Sequence, residues 1–345
     1  MNRKKLLITG GAGFIGGNFV QYMVNKYPQY DIYNLDVLTY AGDLTKHRVI
    51  EKMDNYHFVK ADIVDRDTII PLFEKDKFDY VIHFAAESHV DRSITDPGIF
   101  IRTNVVGTQV LLDAAKLIGV EKFVHVSTDE VYGELEFNPT TFFTEETPLQ
   151  PNSPYSASKA SSDLLVRAYH ETFGLPINIT RCSNNYGPYH FPEKLIPLTI
   201  SRVLNNQKVP IYGSGDNIRD WLHVFDHCTA IDLVLHEGVD GEVYNVGGHN
   251  ERTNLEVVKT IIQTLGKSED LIEFVTDRLG HDKRYAIDPS KLEHLGWKPN
   301  YSFETGIAQT IKWYLNHIDW WEQILNGEYQ NYFNKQFSLQ LSLDV

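Results

Sequence analysis

Near its N-terminus the chain reads Lys5-Leu6-Leu7-Ile8-Thr9-Gly10-Gly11-Ala12-Gly13-Phe14-Ile15-Gly16, an apolar run that leads directly into a glycine-rich turn. The glycines satisfy both the G-x-G-x-x-G and the wider G-x-x-G-x-x-G spacing. In such a turn one glycine permits the tight bend, one lets the backbone approach a pyrophosphate, and one lets the helix pack against the strand. The N-terminus of the helix that follows offers free N–H groups and a positive dipole to the same anion. The stretch therefore predicts a strand, a turn and a helix that bind a dinucleotide.

The type of dinucleotide is indicated by Asp36, which ends the second predicted strand about 20 residues after the glycine-rich turn. A carboxylate in this position accepts hydrogen bonds from both hydroxyls of the adenosine ribose, which favours NAD. It would repel a 2′-phosphate, and no arginine follows immediately to compensate, so NADP is disfavoured. Small or acidic residues that end the third and fourth predicted strands are expected to border the adenine and the cofactor backbone. The cofactor-binding residues predicted from this pattern are Gly10, Gly13, Phe14, Ile15, Gly16, Asp36, Asp62, Ile63, Ala85 and Ala86.

The first half of the chain alternates short β-branched apolar runs with amphipathic segments, which indicates βαβ units. Helices are predicted over Asp96–Ile118, with Asp96 as N-cap and Pro97 at the first helical position, and over Tyr155–Phe173. The predicted fold class is α/β, a Rossmann-type doubly wound parallel sheet with a smaller, interleaved C-terminal substrate-binding domain. The predicted strands are Lys5–Thr9, Asp31–Leu35, His57–Lys60, Tyr80–Phe84, Lys122–Ser127 and Pro176–Arg181.

The regular alternation lapses after Tyr186-Gly187-Pro188, and segments rich in Gly and Pro, such as residues 210–216, predict a smaller region that covers the substrate. A predicted helix over Asp226–Leu235 and a predicted strand over Glu242–Val246 suggest that the chain then returns to the first domain. We therefore expect a NAD-binding domain of residues 1–187 with about 222–248, and a substrate-binding domain of residues 188–221 and 249–345.

The overall composition is that of a globular protein, with 345 residues of which 42% are hydrophobic and 23% are charged. A formal net charge of −14 without a basic cluster argues against a nucleic-acid partner. No apolar stretch is long enough to span a bilayer and the N-terminus lacks a signal-peptide pattern, so we expect a cytoplasmic protein without a membrane partner. Cys182 and Cys228 are too few for a disulfide framework or a structural zinc site, and we expect two small buried side chains.

A second motif places Tyr155 and Lys159 four residues apart, so that both side chains project from one face of the predicted helix. An unperturbed tyrosine, with a pKa of about 10, is a poor base near neutrality. A neighbouring ammonium and a positive nicotinamide ring would both favour its phenolate. A Y-x-x-x-K match alone is common on solvated helix faces. After a dinucleotide motif and a strand that ends at Thr128, it indicates a catalytic pair.

Together, the glycine-rich turn, Ser127-Thr128 and the Tyr155/Lys159 pair resemble the extended short-chain dehydrogenase/reductase family. Within that family the run Ser127-Thr128-Asp129-Glu130-Val131-Tyr132-Gly133 is similar to the nucleotide-sugar 4,6-dehydratases. The similarity extends over nearly the whole chain through residues 85–93, 181–188, 191–197 and 217–221. The resemblance adds Thr103, Asn185, Tyr155 and Lys159 to the expected cofactor-binding residues.

Elimination of water from a sugar needs two acid–base groups with different tasks, and the adjacent carboxyls of Asp129 and Glu130 fit that need. The resemblance implies that Tyr155 takes the proton of the 4-hydroxyl as hydride passes from C4 to NAD. Glu130 then removes the C5 proton, and a protonated Asp129 gives its proton to the departing 6-hydroxyl before hydride returns to C6. A water-poor pocket and a neighbouring carboxylate can both keep Asp129 protonated. Thr128 is expected near the 4-hydroxyl and Lys159 at the nicotinamide ribose.

The resemblance also implies a nucleotide-sugar substrate, with dTDP-glucose expected and UDP-glucose left open. Arg219 and Arg278 are expected at its diphosphate, and Leu279 stands where the family pattern has a proline, which could loosen that loop. The substrate-binding residues implied in this way are Glu87, Ser88, Thr128, Asn184, Lys194, Leu195, Pro210, Ile211, Tyr212, Arg219, Asn254, Arg278 and His281.

Two other functions share parts of this pattern. A nucleotide-sugar 4-epimerase would use the same cofactor and tyrosine without eliminating water, and the Asp129-Glu130 pair argues against it. A non-catalytic NAD-sensing protein would not need an intact Tyr155/Lys159 pair. His223 and His227 have helix-face spacing but no evident third ligand, so no metal site is expected. The resemblance further implies a homodimer in which the helices over 96–118 and 155–173 pair across the interface.

Overall fold

The computed structural model describes residues 3–277 and 280–325. The strands are β1 (Lys4–Thr9), β2 (Tyr30–Asp36), β3 (Tyr56–Lys60), β4 (Tyr80–His83), β5 (Lys122–Thr128), β6 (Ile177–Cys182), β7 (Asn184–Tyr186), β8 (Val209–Tyr212), β9 (Ile218–His223), β10 (Val243–Val246), β11 (Glu251–Thr253) and β12 (Ile272–Val275). The α-helices are α1 (Phe14–Lys26), α2 (Arg66–Asp76), α3 (Val90–Thr95), α4 (Pro97–Phe100), α5 (Thr108–Ile118), α6 (Pro154–Phe173), α7 (Leu195–Leu204), α8 (Val224–Glu237), α9 (Asn254–Thr264), α10 (Ser290–His294), α11 (Phe303–Asn316) and α12 (Ile318–Leu325). All six strands predicted for the first half are present, with ends shifted by one residue at most.

A seven-stranded sheet forms the centre of the molecule, in the order β10-β6-β5-β4-β1-β2-β3, and all of its strand pairs are parallel. Buried apolar residues from both faces of the sheet form two clusters, one that includes α1 and α8 and one that includes α2, α5 and α6. The fold class predicted from the sequence is therefore confirmed. The strand order reverses between β1 and β4, and such a switch point is where parallel sheets bind ligands at the carboxyl ends of their strands.

The run predicted as one helix over Asp96–Ile118 is helical throughout but changes its winding. Residues Ile101–Gly107 form a π-helix between α4 and α5. Pro97 occupies the first turn as predicted, whereas the side chain of Asp96 makes no capping hydrogen bond. The helix predicted over Tyr155–Phe173 begins one residue earlier, at Pro154, because Ser153 and Ser156 form a reciprocal capping box.

The smaller region is built from short sheets and the helices that cover them. Strands β11, β9 and β7 form one sheet, and β12 pairs with β8 in another, so the Pro210 segment contains a strand. Its core includes Tyr186, Trp221 and Phe303, packed among residues of α7, α9 and α11. Between these parts the chain returns to the central sheet, where β10 pairs with β6.

Candidate active site

A cleft of about 660 Å³ lies at the carboxyl ends of the central strands and extends to the smaller region. Every cofactor-binding and catalytic residue predicted from the sequence lines it, as does every predicted substrate-binding residue that the structure describes. Arg278 and the neighbouring Leu279 lie outside the described residues. The structure therefore gathers residues from both halves of the chain around one cavity that can hold a ligand.

At one end of the cleft the glycine-rich turn joins β1 to α1. Gly10 has a φ of +70°, and a Cβ there would lie 2.6 Å from the backbone nitrogen of Ala85. At Gly16 a Cβ would lie 2.3 Å from the carbonyl oxygen of Gly10. Helix α1 begins at Phe14 with no side chain capping its first N–H groups. These groups face an anion site that backbone alone can form, which fits the pyrophosphate of a dinucleotide.

Asp36 ends β2 beside that turn and is 9% exposed. One of its carboxylate oxygens accepts a hydrogen bond from Leu38 N at 2.8 Å and the other from Ala12 N at 3.0 Å. The two backbone bonds fix the orientation of the carboxylate, and it still has lone pairs for further donors. This arrangement fits the adenosine ribose hydroxyls of NAD.

Thr128 is the last residue of β5, and Asp129 and Glu130 begin the turn of 3₁₀-helix that follows it. The hydroxyl of Thr128 accepts a hydrogen bond from Glu130 N and donates one to Asp129 Oδ1, both at 3.3 Å. Asp129 is 1% exposed, and its second oxygen, Oδ2, has no hydrogen-bond partner in the described part of the chain. Burial, together with the nearby charges of Glu130 and Asp220, raises the pKa of Asp129 well above its ordinary value. A buried carboxyl of this kind stays protonated and can act as an acid.

Tyr155 lies in the first turn of α6, 8% exposed, with its ring packed against Phe100. Burial raises the pKa of its phenol well above the ordinary value, and the Glu130 charge acts in the same direction. A hydrogen bond with the Thr128 side chain opposes this shift. The protein alone therefore keeps Tyr155 neutral, which differs from the expectation that the Lys159 ammonium would favour the phenolate.

The position of Lys159 explains the difference. Its Nζ donates to Val126 O at 2.9 Å and lies 3.4 Å from Nε2 of His125. Burial lowers the pKa of Lys159 to about 8, and the Asp163 charge opposes that shift. The ammonium is thus held by the strand beneath the cleft.

Arg219 extends from β9, lines the cleft, and is 4% exposed. Its guanidinium donates to the carbonyl oxygens of Ile218 and Asp282, at 2.7 and 2.9 Å, and stacks 4.2 Å above the Tyr285 ring. Lys194 donates to Ser88 O at 3.3 Å and so joins the smaller region to the loop after β4. Cationic side chains of the smaller region therefore line the same cleft as the residues at the ends of the central strands.

The two histidines singled out by their spacing have structural contacts. His227 Nδ1 lies 2.9 Å from Asn185 Oδ1, which orients a predicted cofactor-binding side chain. His223 stacks on Tyr301, with the ring centroids 3.9 Å apart, and caps α8 through Phe225 N. No group of three or more His, Cys, Asp or Glu side chains suited to a metal ion occurs within residues 3–277 and 280–325.

Several polar residues of the site had no role assigned from the sequence. Asn104, in the π-helix, bonds both backbone groups of Glu87 and the hydroxyl of Ser158. Glu193 lines the cleft with a side chain that is 3% exposed and lies 3.5 Å from His89. Lys46 lines the cleft beside the glycine-rich turn. Glu193 falls in a segment that matched the family pattern, so the sequence could have indicated that it belongs to the site. No such pattern in the sequence pointed to Asn104 or Lys46.

In the part of the chain that is described, no helix has the length and apolar character needed to cross a membrane.

Comparison with known proteins agrees with this geometry. The model of the GDP-mannose 4,6 dehydratase family matches residues 7–310. A dTDP-glucose 4,6-dehydratase from Escherichia coli is 51% identical over 353 residues, which cover 94% of this chain and 97% of the relative. The crystal structure of dTDP-glucose 4,6-dehydratase from Bacillus anthracis in complex with NAD is 51% identical, with a TM-score of 0.87 over 93% of this chain and 99% of that one. The enzyme of the same name from Streptomyces venezuelae, also with NAD bound, is 47% identical with a TM-score of 0.89 over 93% and 99% of the two chains.

Proposed function

The chain belongs to the dTDP-glucose 4,6-dehydratase family, and on that premise we propose that it converts dTDP-glucose to dTDP-4-keto-6-deoxyglucose with NAD as its cofactor. The observation that carries the proposal is the buried carboxyl of Asp129, with one unpartnered oxygen, next to Glu130 at the end of β5. Both residues line the same cleft as Tyr155. An enzyme that only oxidises and reduces C4 does not need this additional acid.

The chain's own residues account for cofactor binding. The glycine-rich turn presents backbone N–H groups to the pyrophosphate, and Asp36 accepts from the adenosine ribose. When bound, NAD supplies the acceptor for hydride from sugar C4, the hydride returned to C6, and a positive ring charge that favours the phenolate of Tyr155. The remaining predicted cofactor-binding residues that line the cleft are Asp62, Ile63, Ala85, Ala86, Thr103, Lys159 and Asn185.

The proton transfers belong to three side chains. Tyr155 Oη takes the proton of the 4-hydroxyl, and the Thr128 hydroxyl beside it orients the phenol. Once C4 is a ketone, the C5 proton is acidic and Glu130 removes it. Asp129, kept protonated by burial and by the Glu130 charge, gives its proton to the departing 6-hydroxyl, so that the C6–O bond breaks and water leaves. Glu130 then returns a proton to C5.

The smaller region accounts for the nucleotide-sugar substrate. Arg219 is buried and charged in the lining of the cleft, where it can meet the diphosphate. Pro210, Ile211, Tyr212 and Asn254 also line the cleft and are our proposed contacts for the nucleoside. We keep Arg278 and His281 as proposed phosphate ligands, although Arg278 lies outside the described residues.

A turnover assay tests the function. Incubation with dTDP-glucose is expected to give dTDP-4-keto-6-deoxyglucose, with faster turnover than UDP-glucose or GDP-mannose. Tyr155→Phe removes the base for the 4-hydroxyl, so we expect a fall in kcat of roughly 100-fold or more with NAD still bound. Formation of dTDP-galactose without a 4-keto-6-deoxy product would instead identify a 4-epimerase. Full activity of Tyr155→Phe would contradict the role of Tyr155.

We also propose that the protein is cytoplasmic and forms a homodimer. The proposed NAD-binding domain comprises residues 1–187 and about 222–248, and the proposed substrate-binding domain comprises residues 188–221 and 249–345. The reduced state of two buried cysteines, Cys182 and Cys228, supports the location. Exposed apolar side chains on the helical segments 97–118 and 154–173 support the dimer. These side chains are Ile101 (49% exposed), Val106 (44%), Leu117 (54%), Leu164 (59%) and Phe173 (52%).

A further inference from the structure

Lys46 is a lysine whose ammonium is buried directly behind the glycine-rich turn. It lies in the short 3₁₀ segment Thr45–His47 and is 2% exposed. Its Nζ donates to Ala12 O at 2.9 Å and to Gly13 O at 2.7 Å. Its aliphatic stem crosses α1 at Gly17, where a Cβ would lie 2.5 Å from Lys46 Cδ. The contacts therefore place a positive charge against the backbone of the anion site.

Burying an ammonium costs free energy unless it is paired. Lys46 has no carboxylate within ion-pair distance in the described part of the chain, and its two bonds go to backbone carbonyls. Asp43 and Asp36 act on it through their charges only. The ligand expected at the turn is an anion, and a positive charge in this place would attract it.

We propose that Lys46 is a positioning residue for the cofactor pyrophosphate. Its ammonium holds the carbonyl oxygens of two peptides. The N–H of the Ala12–Gly13 peptide donates to Gly10 O at 3.1 Å and closes the turn, whereas the N–H of the Gly13–Phe14 peptide is the first of α1 and is available to the phosphates. The charge of Lys46 strengthens their binding. The inference rests on the proposed function, because it takes NAD as the ligand of the turn.

Two physical effects support this role. A peptide whose carbonyl oxygen accepts a charged hydrogen bond becomes a stronger N–H donor, because hydrogen bonds in a chain polarise one another. The positive charge also acts on the pyrophosphate through a buried medium, where screening is weak. Among the other cations that line the cleft, Lys159 bonds Val126 O, Lys194 bonds Ser88 O, and Arg219 bonds Ile218 O and Asp282 O.

The charge of Lys46 also makes cofactor binding depend on pH. Burial lowers its pKa to about 8, and the charges of Asp43 and Asp36 oppose that shift. Cofactor affinity should therefore be complete below pH 8 and fall as the pH rises through 8, where the free protein loses the ammonium.

The other titratable groups in contact with Lys46 do not change charge in that range, whereas Lys159, elsewhere in the predicted cofactor site, also has its pKa lowered to about 8 by burial. His47, on the same segment, has its pKa lowered to about 4 by burial and is neutral. Tyr189, with its ring 5.7 Å from Lys46 Nζ, has its pKa raised by burial and is also neutral. Asp43 accepts from Thr45 and from Trp320 Nε1, and these bonds lower its pKa, so it stays ionised. Asp36, at the end of β2, is the other charged group that acts on Lys46.

The test measures the dissociation constant of NAD by titration calorimetry on protein freed of nucleotide, at about pH 6.5 and about pH 9.5, on either side of the lysine transition. Lys46→Met keeps the length of the side chain and removes the charge, so NAD should bind roughly 10- to 100-fold more weakly at the lower pH. Its affinity should then fall less between the two pH values than that of the wild-type protein, because Lys159 still titrates and Lys46 is gone. Lys46→Arg, which stays charged, should likewise bind NAD with an affinity that falls less with pH than the wild-type affinity. Lys52→Met is the matched control, since Lys52 is exposed in the same region.

Asp43→Asn gives a second check that does not remove Lys46. It takes away the largest charge that raises the pKa of Lys46, so the fall in NAD affinity should move to lower pH. Thermal unfolding without NAD shows whether each variant is folded. If Lys46→Met does not fold, the test rests on comparing the pH dependence of NAD affinity in Asp43→Asn with that of the wild-type protein. Wild-type affinity in Lys46→Met, or an unshifted profile in Asp43→Asn, would overturn the proposal. Turnover of dTDP-glucose by the wild-type protein tests the proposed function separately.

Discussion

Asp129 and Glu130 are neighbouring carboxyls in different surroundings, and the difference separates their expected tasks. Asp129 is 1% exposed and its pKa is raised, whereas Glu130 is half-buried beside the same cleft. A protonated acid is needed for the 6-hydroxyl, while a base is needed for the C5 proton. We therefore propose Asp129 as the acid, since burial and the neighbouring charge of Glu130 both raise its pKa.

Asp129→Asn should separate these two tasks. An amide cannot give a proton to the leaving hydroxyl, so kcat for dehydration should fall by roughly 10²–10⁴-fold. Tyr155 and Glu130 are intact, so the substrate should still exchange its C5 hydrogen with deuterated water. Product assays and mass spectrometry of the recovered dTDP-glucose measure the two effects.

Asp67→Asn provides the control, because Asp67 is an exposed carboxyl in the first turn of α2. It should leave both dehydration and C5 exchange unchanged. Equal losses of exchange and dehydration in Asp129→Asn would contradict the division of tasks, since they would show that Asp129 is needed before or during removal of the C5 proton.

Single residues also show where sequence reasoning succeeds. The position of Tyr155, Lys159 and Asp129 in one cleft could be predicted because their spacing and flanking segments form local patterns, and their chemical roles stay predictions. Lys46 could not, since its role depends on contacts with Ala12 and Gly13, more than 30 residues away along the chain. The hydrogen bond from Nζ of Lys159 to Val126 O could not be predicted either, because helical spacing does not reveal it.

Among the elements, the π-helix of Ile101–Gly107 has the most direct link to the site. The carbonyl oxygen of Asn104 accepts from the hydroxyls of Thr108 and Ser162, at 2.5 and 2.6 Å. Its side chain bonds Glu87 N and Ser158 Oγ at 2.8 Å each. Through these bonds the π-helix, which leads into α5, is joined to α6, the helix that carries Tyr155.

Asn104→Ala should weaken this junction. It leaves buried donors and acceptors of Glu87 and Ser158 without partners, so the free energy of unfolding should fall by about 3 kcal/mol. Denaturant unfolding measures the change, and Asn205→Ala, at the exposed end of α7, should lower stability far less. A loss in Asn104→Ala no larger than in Asn205→Ala would show that the side chain does not hold the junction.

The extent of that helical run could be predicted from Pro97 and from apolar periodicity, but its change of winding could not. Helical patterns in a sequence report which face is buried, and a run of only seven residues is too short for its periodicity to distinguish a π-helix from an α-helix. The choice of winding depends on partners from α6, such as Ser162, which reach the backbone only in the folded molecule.

On the scale of the whole molecule, the central sheet was predicted almost completely because each strand is a short β-branched run between helices. The small sheets were not, since β7 and β11 are three residues long and pair with β9 across distant parts of the chain. The return of the chain to the central sheet was anticipated from the helix and strand near residues 226–246. Such long-range pairing is determined by packing, which local sequence describes only in part.

Two chains are expected to assemble through α6 and the helical run over 97–118. Leu164 lies on the outer face of α6 and is 59% exposed. If two copies pair through α6 and the run over 97–118, Leu164→Asp buries an unpaired carboxylate at the interface and should convert a dimer to a monomer at micromolar concentration. Phe274→Asp is the matched control, because Phe274 is 58% exposed on β12 and should leave the mass unchanged. Light scattering measures the masses, and a wild-type monomer, or a dimer that persists in Leu164→Asp, would argue against this interface.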